Sequence, residues 1–446
     1  MAESIAMTDK LDYSQLRRRA VAARAIKMVL PASNGSSFSP GQSIIVALPS
    51  NLENTFIDLS KTYLRFKLTN SSPAAGGNAN DATLDGASGA YCLFDRLTVS
   101  SGGGAVINDI TGYNVLVSAL MSTHSTKDYN MNIGSTMLGT ATDGGAHVGA
   151  TVAQDGGAIT VCLPLAACGI AQLTPQKYLP AFSRSNVQLQ YYLDSMVNSV
   201  ASGGTPVLAL TDVELVTTAI QLSPEAGRMI DEMVGGRYTM LMSDYRGTTA
   251  SVTGTGAAQT HVSTLGFSFS SLDRVFWVAR SADSQTQANN SIGARSNATT
   301  SEYSLTIAGV QYPDRPVVVG GAIDTAGYGA GAMAELLVAL GGIGKFSAGT
   351  QLNTGQNYAG AAKYGVSDAD GSNEAKTGSF VAAIECESME GSSGLFSGAN
   401  SVSAITQMRH EFSALPAKNF IISYWANYTS QLVLDMRGQG VFTVSV

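Results

Sequence analysis

Histidines and cysteines are the side chains of this sequence best suited to nucleophilic or metal chemistry. The chain has four of each, and the cysteines form neither a CxxC pair nor a dense framework. No GxSxG motif marks a reactive serine, although a site assembled from distant residues stays open. The pattern predicts reduced, buried thiols, no catalytic residue and no enzyme. The residues concerned are His124, His147, His261, His410, Cys92, Cys162, Cys168 and Cys386.

Three short motifs are weighed as cofactor or metal sites. Gly327–Ala332 matches GxGxxA, but a long Gly-rich loop follows instead of the strand that a dinucleotide fold requires. Asp368–Glu374 has the oxygen-rich composition of a calcium loop without EF-hand spacing, so it predicts a solvated loop, with calcium binding as the alternative. Glu385, Cys386 and Glu387 alternate between the faces of a strand and are not spaced as metal ligands. The sequence therefore predicts no cofactor and no bound metal.

Carbohydrate chemistry is a further class. Paired carboxylates for glycoside hydrolysis can come from distant strands, so the sequence does not exclude them. Exposed tryptophans that stack on sugars are expected in such proteins, whereas Trp277 and Trp425 lie in apolar segments and are predicted to be core residues. A two-domain β-sandwich carbohydrate-binding protein or glycoside hydrolase is retained as an alternative.

The composition is unusual in its charge. Only 13% of the 446 residues are charged, against a usual share of about 25%, and the formal net charge is -7. The deficit predicts an exterior that is largely covered by other chains or coated with Ser, Thr, Asn and Gly. The acidic balance argues against nucleic acid as the main partner of the folded body. The sequence has no apolar run long enough for a spanning helix, and its first 20 residues lack the apolar segment of a secretory signal.

The first 30 residues depart from this balance. Six Lys and Arg against three Asp and Glu give +3, which leaves -10 for the other 416 residues. Helix-forming residues over Tyr13 to Val29 predict a basic arm or short helix set apart from the body, with a solvated tail without function as the alternative.

From Pro31 onward the pattern indicates short strands between loops rich in Gly, Ser, Asn and Thr. Thr62–Leu68 and Val187–Leu193 alternate apolar and polar residues, as half-buried strands do. Helices are predicted only over 113–121, 223–233 and 333–340. The chain is therefore an all-β protein with short helices.

The two halves of the chain resemble each other in the order of their features. Their offset of roughly 208 to 236 residues indicates a duplicated domain rather than a solenoid. We predict an arm at 1–30, a first domain at 31–232 and a second at 233–446, each a sandwich or jelly roll. The matched pairs are Phe56–Leu68 with Phe269–Ala279, the strands from Leu97 and Leu305, the helices at 113–121 and 333–340, the strands from Ile159 and Phe380, and the aromatic strands after Leu179-Pro180-Ala181 and Leu415-Pro416-Ala417.

Several segments resemble one family of viral proteins. FSPGQSIIVALPSNLENTFIDLSKTYLRFKLTN and LFDRLTVSSGGGAVINDITGYNVLVSALM are similar to the opening of a double-jelly-roll viral major capsid protein. VCLPLAACGIAQLTPQKYLPAFSRSNVQLQYYL resembles the connection and strand that follow there, and LVLDMRGQGVFTVSV resembles the closing hairpin. The resemblance covers the chain from about residue 27 and is closest to small double-stranded DNA viruses of the Polinton-like and virophage kind.

The resemblance implies an all-β fold of two tandem eight-stranded jelly-roll barrels with short helices and long loop insertions. It implies a non-enzymatic capsid protein, made inside the host cell without a signal peptide and located in the virion. Homotrimers would form pseudo-hexameric capsomers that tile an icosahedral shell, with neighbouring capsomers, penton proteins and minor capsid proteins as partners and no small-molecule substrate. Another viral β-sandwich shell or fibre protein is the alternative.

The basic arm takes a role within this resemblance. On the inner face of a shell it would contact minor capsid proteins, an internal membrane or the packaged genome. The residues expected to make these contacts are Arg17, Arg18, Arg19, Arg24 and Lys27.

Overall fold

The structure is a computed structural model. It describes residues 23–102, 104–125, 129–143, 146–174, 177–196, 200–282, 292, 295, 297–319, 329–341, 380–388, 396–415, 417–438 and 440–445. Gly327, Tyr328 and the segment Asp368–Glu374, weighed above as cofactor and calcium motifs, lie outside these residues.

The strands of the first half are β1 Ala23–Pro31, β2 Ser37–Phe38, β3 Ser43–Ala47, β4 Thr55–Asn70, β5 Ala82–Thr83, β6 Phe94–Ser101, β7 Val106–Thr111, β8 Thr140–Asp143, β9 Ala146–Gly149, β10 Thr151–Val152, β11 Gly157–Pro164, β12 Leu173–Thr174, β13 Leu179–Pro180, β14 Val187–Leu193 and β15 Leu208–Leu222. Those of the second half are β16 Arg237–Thr253, β17 Gln259–Thr264, β18 Leu272–Ser281, β19 Thr300–Ile307, β20 Val310–Val318, β21 Ala382–Glu385, β22 Thr406–Phe412, β23 Asn419–Asp435 and β24 Phe442–Ser445. The helices are α1 Tyr113–His124, α2 Ser135–Met137, α3 Pro224–Val234 and α4 Ala330–Ala339. Within the described ranges, no helix has the length and apolar character needed to cross a membrane.

Eight strands of the first half build two antiparallel sheets, which together we call the N-terminal barrel. One sheet has the order β1-β15-β4-β11, and the other has the order β3-β14-β6-β7. Short strands extend the first sheet, since β13 pairs with β4 and β2 pairs with β15. Counted along the chain, the barrel pairs its first strand with its eighth, the eighth with the third and the third with the sixth.

The second half repeats this order in what we call the C-terminal barrel. Its sheets are β16-β23-β18-β21 and β17-β22-β19-β20, so strands one to eight again pair as 1-8-3-6 and 2-7-4-5. In both barrels the chain crosses between two facing sheets, and this strand order is that of a jelly roll. The all-β fold of two tandem eight-stranded jelly rolls is thus confirmed.

Four of the five predicted correspondences between the halves are confirmed by this strand order. β4 and β18 are both third strands, β6 and β19 are both fourth, and β11 and β21 are both sixth. The helices α1 and α4 both lie between the fifth and sixth strands. Both helices begin after a glycine in the left-handed region, Gly112 with φ 62° and Gly329 with φ 78°.

The fifth correspondence is wrong. The segment after Leu179 leads into β14, the seventh strand of its barrel, whereas the segment after Leu415 leads into β23, the eighth strand. The shared Leu-Pro-Ala triplet therefore marks different connections. The true counterpart of β14 is β22, a strand that the sequence pattern did not predict.

Pairing also overturns the helix expected at the N-terminus. Ala23–Pro31 is a strand that pairs along its whole length with β15, from Ala23 opposite Leu222 to Pro31 opposite Glu214. Residues 23–30 of the predicted basic arm thus form β1 together with Pro31. The ladder with β15 satisfies the backbone N–H and C=O groups of this segment and overrides its helix propensity. The division into domains stays a prediction, and its boundary at residues 232 and 233 falls within α3.

The interiors of the barrels are aromatic. Phe94 packs edge-on against Phe66, with ring centroids 5.9 Å apart, and contacts Tyr191 at 5.3 Å. In the C-terminal barrel, Trp277 packs edge-on against Tyr303 at 5.2 Å. Trp277 and Trp425 are fully buried, as predicted for core residues.

The first prediction concerns the N-terminal barrel. Phe94→Ala removes a ring with no exposed surface that joins both sheets, so we expect a loss of about 3–5 kcal/mol in the free energy of unfolding. Val310→Ala, on a side chain that is 57% exposed, is the control and is expected to change it by less than about 0.5 kcal/mol. Chemical denaturation followed by fluorescence measures both. Equal midpoints for the two variants would contradict this account of the core.

Candidate assembly surfaces

The predicted contact arm is divided by the structure. Arg17, Arg18 and Arg19 lie outside the described residues, while Arg24 and Lys27 are exposed on β1. Positions three apart on a strand point to opposite faces, so Arg24 and Lys27 do not share a surface as they would on a helix. The Lys27 ammonium lies 5.7 Å from the centre of the Tyr63 ring. The Lys27 side chain therefore lies on the outer face of the N-terminal barrel.

A polar joint connects the two barrels around Asp244 of β16, which is fully buried. Asn108 of β7 donates from Nδ2 to Asp244 Oδ1 at 2.8 Å, and Ser430 of β23 donates from Oγ to Oδ2 at 2.9 Å. Burial raises the pKa of the Asp244 carboxyl to about 7, although hydrogen bonds from Ser430 and the Gly169 amide oppose the rise. A side chain of the C-terminal barrel is thus held by groups from both halves of the chain.

Close backbone approach surrounds this joint. A Cβ added at Gly169 would overlap the Asp244 carboxylate, so only glycine fits there. Thr111 at the end of β7 donates from Oγ1 to the Gly247 carbonyl at 3.0 Å, and its own carbonyl accepts from Trp425 Nε1 at 3.0 Å. β12, from the first half, pairs with β16 and thereby extends a sheet of the C-terminal barrel.

A second polar contact joins α1 to the C-terminal half through Arg295, which is 1% exposed. Its guanidinium donates from Nη1 to Ser118 Oγ at 3.0 Å and from Nη2 to Ser122 Oγ at 2.7 Å. Ser118 in turn donates to Asp85 Oδ2 at 3.0 Å. Burial lowers the pKa of Arg295 to about 10, and the nearby Asp85 charge opposes that change. The arginine therefore reaches its carboxylate through a serine.

An apolar groove lies where α3 crosses the end of the N-terminal barrel beside β16. Its volume is about 600 Å³, and Lys177 and Arg237 are the cationic side chains on its wall. Tyr178, which is 45% exposed, also lines it. The groove continues on either side, because neighbouring cavities share Lys177 and Tyr178 or Phe56 and Tyr238 with it. Its main apolar contacts are Phe56, Pro180, Ile220, Leu222, Ile230 and Val234.

One serine and histidine pair was missed by the sequence motifs. Ser263 Oγ lies 2.9 Å from His261 Nε2 and 3.0 Å from Tyr424 Oη, which contacts His410 Nε2 at 3.0 Å. Burial lowers the pKa of His410 to about 3, so that ring is neutral. In the part of the chain that the structure describes, neither histidine accepts or donates a hydrogen bond to a carboxylate. The chain of contacts therefore lacks the acid of a catalytic triad.

The remaining candidates from the sequence have structural partners. Glu385 and Glu387 both bind Arg274, at 3.0 Å and 3.4 Å, while Cys386 points into the protein. Burial raises the pKa of Glu385 to about 7, against the effect of Arg274. The four cysteines are free thiols, as predicted, and three of them are buried. A search of the described residues finds no cluster of His, Cys, Asp and Glu that could hold a metal ion.

Apolar side chains are exposed at several places on both barrels. Val262 on β17 and Val310 and Val318 on β20 project from the outer strands of one sheet of the C-terminal barrel, at 50%, 57% and 59% exposure. Met229 and Met233 project from α3. β17 and β20 are the two edges of this sheet, and an edge strand carries unpaired backbone groups to which another strand can bind.

Comparisons with known proteins find this arrangement in viral capsids. The Faustovirus major capsid protein matches with a TM-score of 0.60 and 10% identity, over 94% of this chain and 92% of that chain. A chain of the PBCV-1 virus capsid matches at 0.58 and 12%, over 97% and 99%. A chain of the Sputnik virophage matches at 0.57 and 10%, over 100% and 93%. No family model and no curated protein matches the sequence. The fold thus extends over nearly the full length of each matched chain.

The second prediction concerns Asp244. Its pKa in the folded protein lies above the ordinary value of 3.8, so folding favours the protonated carboxyl. That contribution is present below the ordinary value and is lost as the pH rises toward about 7. We expect wild type to lose about 3 kcal/mol relative to Asp244→Asn between about pH 4 and pH 7. Denaturation curves across this range measure the difference, and parallel pH profiles would contradict the assignment.

Proposed function

We propose that this chain is a major capsid protein whose homotrimers form pseudo-hexameric capsomers in the icosahedral shell of a double-stranded DNA virus. One observation carries the proposal: two jelly rolls with the same strand order follow each other in one chain, and viral capsid proteins have this arrangement over 92–99% of their length. Fold alone does not fix function, and the surface of this chain provides the second line of support.

Duplication supplies the geometry for a shell. Three copies of a subunit with two similar barrels place six similar units around one axis, which suits contacts with six neighbours. The joint at Asp244 and the contacts of Arg295 hold the barrels in one orientation, so the subunit offers a fixed pair of units.

The surface supports self-association. Low charge and exposed valines on β17 and β20 leave apolar area that a second copy can cover. Obligate interfaces of 2,000 Å² or more are apolar in this way. Copies of the same chain, and then neighbouring capsomers, are therefore the partners we propose, in the virion.

The arm extends this proposal to the inner side of the shell. Residues before Ala23 carry Arg17, Arg18 and Arg19, a compact basic cluster that can bind acidic minor capsid proteins, anionic lipid or nucleic acid. Arg24 and Lys27 follow it on β1 but point to opposite faces of that strand, so they do not enlarge the cluster as one surface. Because β1 is a strand of the barrel, a test of the arm is confined to residues before Ala23.

The third prediction is the size of the assembled subunit. The purified full chain should have a native mass three times that of one chain by light scattering, and averaged negative-stain images should give a ring with pseudo-hexagonal outline. We expect a stable trimer because copies of the chain bury apolar surface against one another. A monomer that binds an oligosaccharide would instead support the carbohydrate-binding alternative and overturn the capsid proposal.

The fourth prediction separates the arm from the barrels. The triple variant Arg17→Ser, Arg18→Ser, Arg19→Ser should leave trimers intact. It should lower the yield of closed shells about tenfold or more, because three positive charges that bind partners on the inner face are lost. The matched control removes three exposed charges elsewhere, through Lys67→Ser, Arg228→Ser and Arg315→Ser. Shell yield is counted by electron microscopy after assembly in vitro. Loss of trimers in the arm variant, or equal shell yields in all proteins, would refute the role of the arm.

A further inference from the structure

α3 carries an apolar stripe that the rest of the described chain covers only in part. Apolar side chains recur at positions 226, 229, 230, 233 and 234, which is the spacing of one helix face. Ala226 is buried, and Ile230 and Val234 line the groove. Met229 and Met233, by contrast, are 65% and 82% exposed. The outer part of the stripe is therefore open to a further partner.

Two acidic side chains flank the exposed methionines. Glu225 lies one helical turn before Met229 and Glu232 lies one turn after it, so both glutamates share the face of Met229 and Met233. Their backbone positions are about 10 Å apart along the helix axis. Among the ion pairs that the structure describes, none includes either glutamate. We call these four residues the methionine face of α3.

The groove beside α3 carries the opposite charge. Its walls are apolar, and its cationic side chains are Lys177 and Arg237, both exposed. Lys177 Nζ donates to the Thr239 carbonyl at 2.8 Å, and neither cation belongs to a described ion pair. One region of the surface thus holds an apolar groove with unpaired cations next to an apolar helix face with unpaired acids.

Contacts with both barrels hold α3 in place between these two surfaces. A Cβ added at Gly227 would overlap Asn54 Oδ1, so the first half of the helix lies directly on the N-terminal barrel. Tyr238 Oη donates to Asp231 Oδ1 at 3.3 Å, which ties the second half to β16. Because α3 is held in this way, its methionine face stays outside the groove of its own chain. A second chain is needed to bring the two surfaces together.

Twofold symmetry joins the two surfaces twice in one contact. Both copies then bury the same region, so the helix face of each copy can meet the groove of the other. Flexible methionine side chains fill irregular apolar grooves, and amphipathic helices bind grooves through residues three and four apart. A membrane surface suits α3 less well. Helices that bind membranes carry Lys and Arg on the polar face, whereas α3 has Glu225, Asp231 and Glu232 against Arg228.

We propose that α3 forms a twofold contact between copies of this chain, in which the methionine face of each copy binds in the groove of the other. Glu225 and Glu232 of one copy then face Lys177 and Arg237 of the second copy. α3 has 11 residues and is about 16 Å long, so the contact is small and weak in dilute solution. It does not require the proposed trimer, and where trimers form it links one trimer to the next.

Exchange of charge between the two surfaces tests this pairing. One variant carries Lys177→Glu with Arg237→Glu, and the other carries Glu225→Lys with Glu232→Lys. Either variant alone places like charges in both halves of the contact, so its association constant should fall at least about tenfold. An equal mixture of the two variants has opposite charges in both halves and should return to within about threefold of wild type. Sedimentation velocity over a concentration series measures all three.

A matched control changes two exposed cations elsewhere. Lys67→Glu combined with Arg315→Glu reverses the same amount of charge and should associate like wild type. A mixture that does not regain association, or charge variants that associate like wild type, would overturn the proposal. Trimers that associate no further would overturn this contact alone. A chain that is a monomer when dilute and a dimer when concentrated would overturn the trimer and keep the contact.

Photo-cross-linking locates the contact. Met233→p-benzoylphenylalanine is placed in an equal mixture of ordinary and isotope-labelled full chains. Linked peptides that combine both isotope forms should contain the groove segments around Tyr178 or Ile220. Val106→p-benzoylphenylalanine, at a 55% exposed position on β7, is the control and should not link to the groove. Links from position 233 that stay within one chain, or that reach other segments of a second copy, would refute the contact.

Discussion

Each barrel depends on the pairing of its first strand with its last. Ala23 lies opposite Leu222 in the N-terminal barrel, and Arg237 lies opposite Asp435 in the C-terminal barrel. These ladders join residues about 200 positions apart, so the entropy of closing a long loop must be overcome before the jelly roll is complete. The aromatic cores and the placement of α3 follow from this closure, since α3 connects the last strand of one barrel to the first strand of the other.

The sequence predicts elements that have local signals, and it misses strands whose pairing partners lie far away along the chain. Alternation in Val187–Leu193 and the Ser223-Pro224 start of α3 are local signals, and both elements form where expected. β16 gives no such signal, because RYTMLMSDYRGTTASVT is largely polar, yet all 17 of its residues pair with β23. β1 has helix-forming residues and is a strand for the same reason. Tertiary pairing decides both segments, and no window of sequence contains the partner.

The duplication makes part of the long-range structure predictable, because features that recur in the same order in both halves indicate equivalent places in two similar domains. Four matched features lie at equivalent places in the two barrels, whereas the Leu-Pro-Ala triplet occurs before a seventh and before an eighth strand. The polar joint around Asp244 was not predictable from the sequence. Asp244 is one acidic residue in a polar strand, and its role arises from Asn108 and Ser430, which are distant in the sequence. Nothing in the spacing of these residues distinguishes them from surface polar side chains.

The distribution of charge explains how so few ionised groups serve so large a chain. The ion pairs that the structure describes lie mostly between neighbouring strands: Arg65 with Glu214, Arg96 with Asp109 and Arg274 with Glu385. Each is part-exposed, so each adds little stability by itself. Their effect is instead to neutralise these six side chains from within the chain. A charge that is already paired within the chain can be covered by another protein without being left uncompensated, and an uncompensated buried charge is strongly destabilising. The low charge of the sequence and these ion pairs between strands both reduce the number of unpaired charges that a covering protein would meet.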